Sequence, residues 1–407
     1  MTSVHLRCDE CLTRFELLHR HAGCSDCGGL LSVVHPDPMV DGTTLQAQFA
    51  RDTHESGVWR FSGIIYPARE HAISHPEGNT PLLERGVLSA WCGMSHLHIK
   101  HEGHNPTGSF KDRGMTVAVS HARRLGVPAV ACASTGNTSA SLASYAAHAG
   151  LPAIVFVPAG QVAPEKLAQT AAYGARILLV EGDFDAALRL ARGASEALGV
   201  YLVNSVNPFR IEGQKTIVFE MMQQLGWQAP DWIVLPAGNL GNTAAFGKAL
   251  AEALRWGLID RMPRLAAIQA SGAAPFAAAF HRGFDALVPV TPTTVASAIR
   301  IGAPASYARG VGAIRSTRGV VTTVSDDELM AAKAEIDRCG VGCEPASAVS
   351  IAGLRKLVAA GTINPGANVV AVLTGHLLKG GGIGSPGPWE RITPTLGEVE
   401  RVLRRSQ

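Results

Sequence analysis

The sequence predicts an α/β protein with mostly parallel sheets and helices on both sheet faces. Two observations lead to this fold class. Between residues 111 and 373, short apolar runs alternate with longer stretches of helical periodicity, which is typical of parallel strands joined by helices. The chain also has 407 residues, 46% of them hydrophobic and 17% charged, so it is long enough for two or three domains with a large core.

The individual elements follow from local patterns. Strands are predicted where apolar runs meet turn residues, at 97–101, 127–131, 153–157, 176–180, 232–235, 265–270 and 368–373. Helices are predicted where the apolar period is three to four residues, at 111–125, 139–148, 164–173, 185–198 and 243–256. The helix at 111–125 is expected to have Ser109 as its N-cap and to end at Gly126. Residues 36–104, rich in Pro, His and Gly, are expected to wrap this body as loops and short helices.

Composition and charge argue against several classes of protein. The formal net charge of +3 is small and the sequence has no block of lysine and arginine, so a nucleic-acid partner is not expected. No apolar run reaches membrane-spanning length, and the first residues lack the apolar core of a signal peptide. We therefore expect a cytoplasmic protein that does not bind membranes.

The first 35 residues form a separate segment defined by two Cys-x-x-Cys pairs. Its cysteines are Cys8, Cys11, Cys24 and Cys27, with twelve residues between the pairs. Four thiolates at this spacing are typical of a zinc ribbon, in which the metal is fully coordinated by protein and its role is structural. Two alternatives stay open at this point, namely four unligated thiols and a ribbon that binds RNA or DNA.

The stretch that organises the rest of the chain is residues 105–114, which read Asn-Pro-Thr-Gly-Ser-Phe-Lys-Asp-Arg-Gly. Lys111 falls in the first turn of a predicted helix, next to Arg113 and at the positive end of the helix dipole. Positive surroundings and partial burial lower the pKa of a lysine, as a reactive amine requires. Asp112 is expected to reach back to the helix cap or to favour the helix dipole. The alternative is a solvated surface lysine.

Three loops that follow predicted strands carry small polar residues, at 134–141, 238–242 and 373–376. In a parallel sheet such loops meet at the carboxyl ends of the strands, where ligands bind. Hydroxyls, amides and glycine backbone at helix N-termini suit a carboxylate or phosphate. A further segment at 204–216 contains Arg210, whose planar fork suits phosphate, although a salt bridge to Glu212 is an equally good interpretation of this arginine.

Four of these motifs, in order, resemble those of the threonine synthases, which are pyridoxal-phosphate (PLP) enzymes of fold type II. The motifs are the lysine stretch at 105–114 and the segments at 134–141, 204–216 and 238–242. Residues 78–83, Gly-Asn-Thr-Pro-Leu-Leu, are similar to a segment near the start of the same enzymes. The resemblance covers most of residues 78–376 and implies a tryptophan synthase β-like fold with two α/β subdomains, the smaller one roughly 112–205 within a catalytic region of 36–407.

The resemblance also implies roles for individual residues. Lys111 would form the Schiff base with PLP, Asn137 would bond the ring oxygen, and the Thr374 hydroxyl would face the ring nitrogen. The cofactor phosphate would be held by the turn formed by Gly238, Asn239, Leu240, Gly241 and Asn242. The substrate would be bound by Ser134, Thr135, Thr138, Ser205, Arg210 and Asn239. After His376 the sequence departs from the family pattern, with a glycine-rich stretch at 380–384 that leaves nearby loop contacts open.

The reaction implied is the conversion of O-phospho-L-homoserine and water to L-threonine and phosphate. Two alternatives are kept. One is another fold-type II enzyme acting on a phosphorylated amino acid, similar to cysteate synthase. The other is a zinc-ribbon binding protein with a catalytically degenerate body. Fold-type II enzymes are often dimers, so a homodimer is possible on the same resemblance.

Overall fold

A computed structural model describes residues 3–20, 23–160, 164–182, 184–379 and 391–405. The strands are β1 His5–Cys8, β2 Arg14–Phe15, β3 Leu31–Val34, β4 Leu82–Glu84, β5 His96–His101, β6 Val130–Ala133, β7 Ala153–Pro158, β8 Arg176–Val180, β9 Tyr201–Leu202, β10 Trp232–Pro236, β11 Arg264–Ala270, β12 Val320–Val324 and β13 Asn368–Leu373. The glycine-rich stretch at 380–384 lies outside the described residues.

The helices alternate with these strands from residue 111 onward. They are α1 Gly42–Arg51, α2 Ser62–Ile65, α3 Gly86–Cys92, α4 Lys111–Leu125, α5 Asn137–Ala149, α6 Pro164–Ala172, α7 Phe184–Leu198, α8 Pro208–Gln224, α9 Gly241–Arg255, α10 Pro275–His281, α11 Tyr307–Ser316, α12 Asp326–Arg338, α13 Pro345–Ala359 and α14 Leu396–Arg405. Within the described ranges, none of these helices is both long and apolar enough to cross a membrane.

The strands form three sheets. A six-stranded sheet has the order β12-β11-β10-β13-β5-β4 and is parallel except at the edge strand β4, and a four-stranded sheet with the order β8-β7-β6-β9 is entirely parallel. A small antiparallel sheet, β2-β1-β3, holds the N-terminal segment. The predicted α/β class with mostly parallel sheets is confirmed. The four-stranded sheet lies within residues 130–202, and the subdomain boundary of 112–205 stays a prediction.

Most predicted elements are present within a few residues, and the exceptions have physical causes. Strand β6 starts at Val130 and not at Val127, because Pro128 has no N–H to donate and Val127 instead closes helix α4 by donating to Ala122. Helix α8 escaped prediction because every residue from Pro208 to Met222 is buried, so the helix has no polar face to create a periodic pattern.

The N-terminal sheet is docked onto the rest of the chain by polar contacts. Arg309 of α11 donates to Asp9 at 2.6 Å and to the carbonyl of Leu31 at 2.7 Å. His35, just after β3, lies 2.7 Å from Glu212 of α8, with both side chains buried. The N-terminal segment therefore contacts α8, the helix that also carries Arg210.

Candidate active site

Helices α4 and α8 cross where both have glycine. A Cβ on Gly213 would lie 1.7 Å from the carbonyl oxygen of Arg113, and a Cβ on Gly114 would lie 2.8 Å from that of Arg210. Only glycine permits so close an approach of two backbones. The crossing places the start of α4, with Lys111, beside the start of α8, with Arg210.

Lys111 is the first residue of α4 and is half-buried, with its Nζ 3.9 Å from the centroid of the Phe110 ring. Burial, and secondarily the positive charge of Arg210, lower the pKa of Lys111 well below its ordinary value, while Glu344 acts in the opposite direction. The lowered pKa agrees with the sequence prediction, but its attribution to Arg113 is wrong. Arg113 is neutralised by Glu102 at 2.6 Å and Glu220 at 2.7 Å.

The predicted capping of α4 is also wrong in detail. The N-cap is Phe110, and Ser109 is buried one residue earlier, where its hydroxyl accepts the Lys111 N–H at 3.4 Å. Asp112 does not reach the cap. It accepts hydrogen bonds from the backbone and hydroxyl of Thr107, at 2.7 and 2.6 Å, and from Ser141 of α5 at 2.6 Å. Burial raises the pKa of Asp112 to about 6. Asp112 thus fixes the lysine loop and α5 to the start of α4.

The loop after β6 brings Asn137 to the start of α5, together with Ser134, Thr135 and Thr138, all half-buried. The Asn137 amide donates to both carboxylate oxygens of Glu344, at 3.0 and 3.2 Å. Glu344, whose charge also acts on Lys111, was not singled out from the sequence, because it lies 207 residues from Asn137. The structure therefore brings the lysine and the Asn137 loop to one carboxylate.

The loop after β13 runs along the lysine loop. The Phe110 N–H donates to the Thr374 carbonyl at 3.0 Å, and the His376 N–H donates to the Gly108 carbonyl at 2.9 Å. The Thr374 hydroxyl lies 2.9 Å from the hydroxyl of Ser347, another residue that the sequence analysis missed. Thr374 is therefore hydrogen-bonded through its backbone to Phe110, the residue that precedes Lys111.

The glycine turn at 238–242 ends where α9 begins, with Leu240 in the left-handed region at φ 63°. Asn239 donates to Ser205 at 2.6 Å, so two residues predicted to bind substrate are in contact. Both polar side-chain atoms of Asn242 and the hydroxyl of Thr243 are buried without a hydrogen-bond partner among the described residues. The Leu240 side chain is buried in the core, so this residue can offer a ligand only its backbone.

Arg210 is 1% exposed, and its Nη1 donates to the carbonyl of Val203 at 3.2 Å. Within the described part of the chain no carboxylate lies within salt-bridge distance of Arg210, and its Nε has no hydrogen-bond partner. Burial lowers the pKa of Arg210 to about 10. Glu212, the alternative partner suggested by the sequence, is taken by Lys215, Lys248 and His35. A salt bridge to Glu212 is therefore excluded as the explanation of Arg210.

These groups fit the PLP that the resemblance implies. A half-buried amine with a lowered pKa, like that of Lys111, can react with an aldehyde. Unpaired buried polar atoms are costly, and those of Asn242 and Thr243 lie in the first turn of α9, where backbone N–H groups favour a phosphate. The Gln214 side chain lies between this turn and α4. Its amide would be 3.5 Å from a Cβ added to Gly241 and 3.1 Å from a Cβ added to Gly114. The donor set thus matches an anionic aldehyde cofactor.

A second candidate site lies in the N-terminal segment. The sulfurs of Cys8, Cys11, Cys24 and Cys27 all lie within 4.8 Å of one another. Cys8 and Cys27 are 3.5 Å apart, and Cys11 and Cys24 are 3.6 Å apart. These separations suit four thiolates around one tetrahedral ion at about 2.3 Å each.

Comparison with known proteins finds the same relationship along nearly the whole chain. The family of pyridoxal-phosphate dependent enzymes matches residues 73–375. Threonine synthase of Methanosarcina acetivorans is 45% identical over 381 residues, which cover 92% of this chain and 92% of that protein. Threonine synthase of Mycobacterium tuberculosis is 49% identical over 306 residues, covering 74% of this chain and 82% of its own.

Solved structures share the fold. Threonine synthase from Escherichia coli superposes with a TM-score of 0.71 at 19% identity, covering 99% of this chain and all of that one (100%). Threonine deaminase isoform 2 from Solanum lycopersicum superposes with a TM-score of 0.65 at 20% identity, covering 91% of this chain and 98% of its own. At such identities the likeness concerns the fold alone.

Proposed function

The chain belongs to the pyridoxal-phosphate dependent enzymes and, among them, to the threonine synthases, and from this premise we propose that it converts O-phospho-L-homoserine and water to L-threonine and phosphate. The observation that carries the substrate assignment is Arg210. Arg210 is 1% exposed and has no carboxylate within salt-bridge distance among the described residues, so the positive charge of its guanidinium is energetically unfavourable in the ligand-free protein. A phosphate ester supplies the missing negative charge and matches the geometry of the fork.

The phosphate pocket is assigned to Arg210, Ser205 and Asn239. Asn239 is held between Ser205 at 2.6 Å and the N–H of Ala305, which donates to Asn239 Oδ1 at 2.6 Å. These contacts fix the asparagine so that little side-chain entropy is lost when substrate binds. Ser134, Thr135 and Thr138 are proposed to bind the remaining polar groups of the substrate, at the start of α5.

Lys111 is assigned the proton transfers. Its lowered pKa favours the neutral amine, so that Lys111 can accept the proton from Cα of the substrate and return protons to the substrate carbons. Once Lys111 carries a proton, the carboxylate of Glu344 stabilises it and Arg210 opposes it. When bound, PLP supplies the electron sink that makes the Cα proton acidic. We assign its attachment to Lys111, its ring to Asn137 and Thr374, and its phosphate to residues 238–242.

The overall conversion requires loss of protons at Cα and Cβ, departure of phosphate from Cγ, protonation at Cγ, addition of water at Cβ and return of a proton to Cα. Arg210 binds the phosphate throughout and stabilises its growing negative charge as the C–O bond breaks. Burial of the pocket keeps bulk water away from the charges, which strengthens these interactions.

The four N-terminal cysteines are proposed to bind one structural zinc ion, supported by their mutual distances of at most 4.8 Å. With all four positions occupied by sulfur, such an ion has no place for water or substrate. The cytoplasmic location and the homodimer remain predictions from the sequence and from the resemblance.

The proposal is tested by incubating the purified protein with PLP and O-phosphohomoserine and measuring inorganic phosphate and threonine together. Equal amounts of both products are expected. O-Phosphoserine with sulfite serves as the comparison, because it carries the same phosphate on a chain one carbon shorter. Phosphate release without threonine, or turnover of O-phosphoserine alone, would contradict the assignment.

A further inference from the structure

The first turn of α13 carries two buried polar side chains that are not used to cap the helix. Glu344 occupies the N-cap position, is 4% exposed and makes no side-chain capping bond. A glutamate at this position is not among the residues that stabilise a helix start, and burying a carboxylate is costly. Its oxygens point instead to Asn137. A Cβ on Gly375 would lie 2.3 Å from Glu344 Oε1, so the opposite loop has room for this carboxylate only because it has glycine there.

Glu344 determines which way the amide of Asn137 faces. An ionised carboxylate can only accept hydrogen bonds, so the nitrogen of the Asn137 amide must be the atom that faces it, at 3.0 Å. The same nitrogen lies 3.2 Å from the other oxygen of the carboxylate, and the two oxygens are close enough in direction to share one amide hydrogen, so the second hydrogen remains for a ligand. Asn137 is thereby held as a donor, which is the polarity required by a phenolic oxygen carrying negative charge.

Ser347, three residues further on, determines the polarity of Thr374 in the same way. The Ser347 oxygen accepts the backbone N–H groups of Thr374 and Gly375, both at 2.9 Å. Because a hydroxyl has two acceptor positions, its own hydrogen is left to donate, and the Thr374 hydroxyl at 2.9 Å is a better placed acceptor for it than the Gly375 carbonyl at 3.5 Å. Thr374 accepts this bond, so its own hydrogen is free to be donated to a ligand.

We propose that Glu344 and Ser347 are positioning residues that make Asn137 and Thr374 hydrogen-bond donors, Asn137 toward the ring oxygen and Thr374 toward the ring nitrogen of the cofactor. The first turn of α13 would then act through Asn137 and Thr374. The ring oxygen would accept a hydrogen bond from Asn137, and the unprotonated ring nitrogen would accept one from Thr374. The inference rests on the proposed function only through the assignment of Asn137 and Thr374 to the ring. The charges nearby are Lys111 and Lys379, on which Glu344 acts, and Arg210, which acts on Lys111.

The test for Glu344 is a double-mutant cycle on cofactor affinity with Glu344→Gln, Asn137→Ala and the double variant. Glutamine keeps the size of the side chain but can present oxygen or nitrogen, so it no longer fixes the amide. We expect PLP to bind about tenfold more weakly to Glu344→Gln, as one charge-assisted hydrogen bond is lost. In the Asn137→Ala background the same change should have less than a twofold effect, because Glu344 acts through Asn137. If the two substitutions weakened PLP binding additively, Glu344 would not act through Asn137 and its positioning role would be refuted.

The matching cycle for Ser347 uses Ser347→Ala and Thr374→Val, with visible absorbance of the bound cofactor as a second readout. Ser350→Ala is the control, because Ser350 is a buried serine one turn along that donates only to backbone carbonyls. We expect Ser347→Ala, but not Ser350→Ala, to change the absorbance spectrum and weaken PLP binding severalfold, with no further effect in Thr374→Val. Ser347→Cys, which keeps the volume, replaces the alanine variant if that one does not fold.

A pH–rate profile gives an independent readout. Loss of the Glu344 charge removes an attraction for protonated Lys111, so the acidic limb of kcat, which reports on the complex in which the substrate has released the Lys111 amine from the cofactor, should move to lower pH in Glu344→Gln. A spectrum and profile equal to those of the wild type would overturn the inference. If the wild-type protein bound PLP but formed no threonine, the binding cycles would still decide the roles of Glu344 and Ser347, while the proposed function alone would fail.

Discussion

Replacing Arg210 with methionine is expected to weaken substrate binding and, at the same time, to stabilise the substrate-free protein. The pKa of Arg210 is lowered from 12.5 to about 10 by burial, which corresponds to about 3 kcal/mol against its charged form. Methionine fills a similar volume without a charge. The loss of the hydrogen bond to Val203, at 3.2 Å, costs about 1 kcal/mol. The net change in the free energy of unfolding is therefore about 2 kcal/mol in favour of the variant, measurable as a rise in Tm of a few degrees.

Substrate binding should change in the opposite direction. A hydrogen bond to a charged group contributes about 1.5 to 3 kcal/mol, so KM for O-phosphohomoserine should rise by about tenfold to more than a hundredfold. The assays are thermal unfolding without substrate and steady-state phosphate release. Arg210→Lys retains the charge but not the fork, so it should raise KM without raising Tm.

Arg113→Met is the matched control, because Arg113 is equally buried but paired with Glu102 and Glu220. Its removal leaves the buried Glu102 without its arginine and takes one cation from Glu220, which keeps Lys100 at 2.6 Å, so it should destabilise the protein by about 3 to 5 kcal/mol. The reasoning would be refuted if Arg210→Met lowered Tm as Arg113→Met does and left KM unchanged, since Arg210 would then be a structural residue.

Three further outcomes are expected. Lys111→Ala should abolish threonine formation and the sensitivity of the cofactor to borohydride while leaving Tm nearly unchanged; residual turnover above a few per cent would contradict its role. A chelator should lower Tm and make the four N-terminal thiols reactive, with one zinc released per chain by metal analysis; unchanged Tm would argue against a structural ion. Burial lowers the pKa of His121 to about 3, so its contribution to stability is complete above its unfolded pKa of about 6.5 and is lost as pH falls toward 3. His121→Asn should reduce the dependence of the unfolding free energy on pH in this range by up to about 1.4 kcal/mol per pH unit, and an unaltered slope would show that His121 is not the group that titrates.

The sequence predicts well what is local. Helices α4 and α5 and strands β8 and β13 were found because their apolar periodicity and end residues are contained in their own segments. The parallel order of the sheet follows from the alternation of such segments. Helix α8 was missed for the complementary reason, since a helix buried on every side carries no periodic signal.

Within the candidate site, the motifs gave the residues that are proposed to face a ligand but not the residues that hold them. Glu344 and Ser347 lie in an apolar helix start without any special spacing, and their partners Asn137 and Thr374 are 207 and 27 residues away. Such pairs arise from the packing of distant elements and leave no pattern in one sequence. The capping of α4 was misjudged similarly, because Asp112 is bound by Thr107 and Ser141, from a preceding loop and a neighbouring helix.

The cations inside this protein fall into two kinds, those that form an ion pair with an acidic side chain and those that do not. Their degree of burial alone does not distinguish the two kinds. Lys215 lies 2.6 Å from Glu212 and 2.7 Å from Glu252, and Arg113 is equally well neutralised, so these charges are balanced within the fold. Arg210 and Lys111 adjoin one another without equivalent compensation, and each lowers its free energy by losing charge or by gaining an anion. In the sequence, Arg113 and Lys111 are nearly adjacent cations, and spacing alone does not show which of them is neutralised. The structure distinguishes them, because Arg113 is paired with two acids while Arg210 beside Lys111 has none within salt-bridge distance among the described residues, as a site that binds a negatively charged ligand would require.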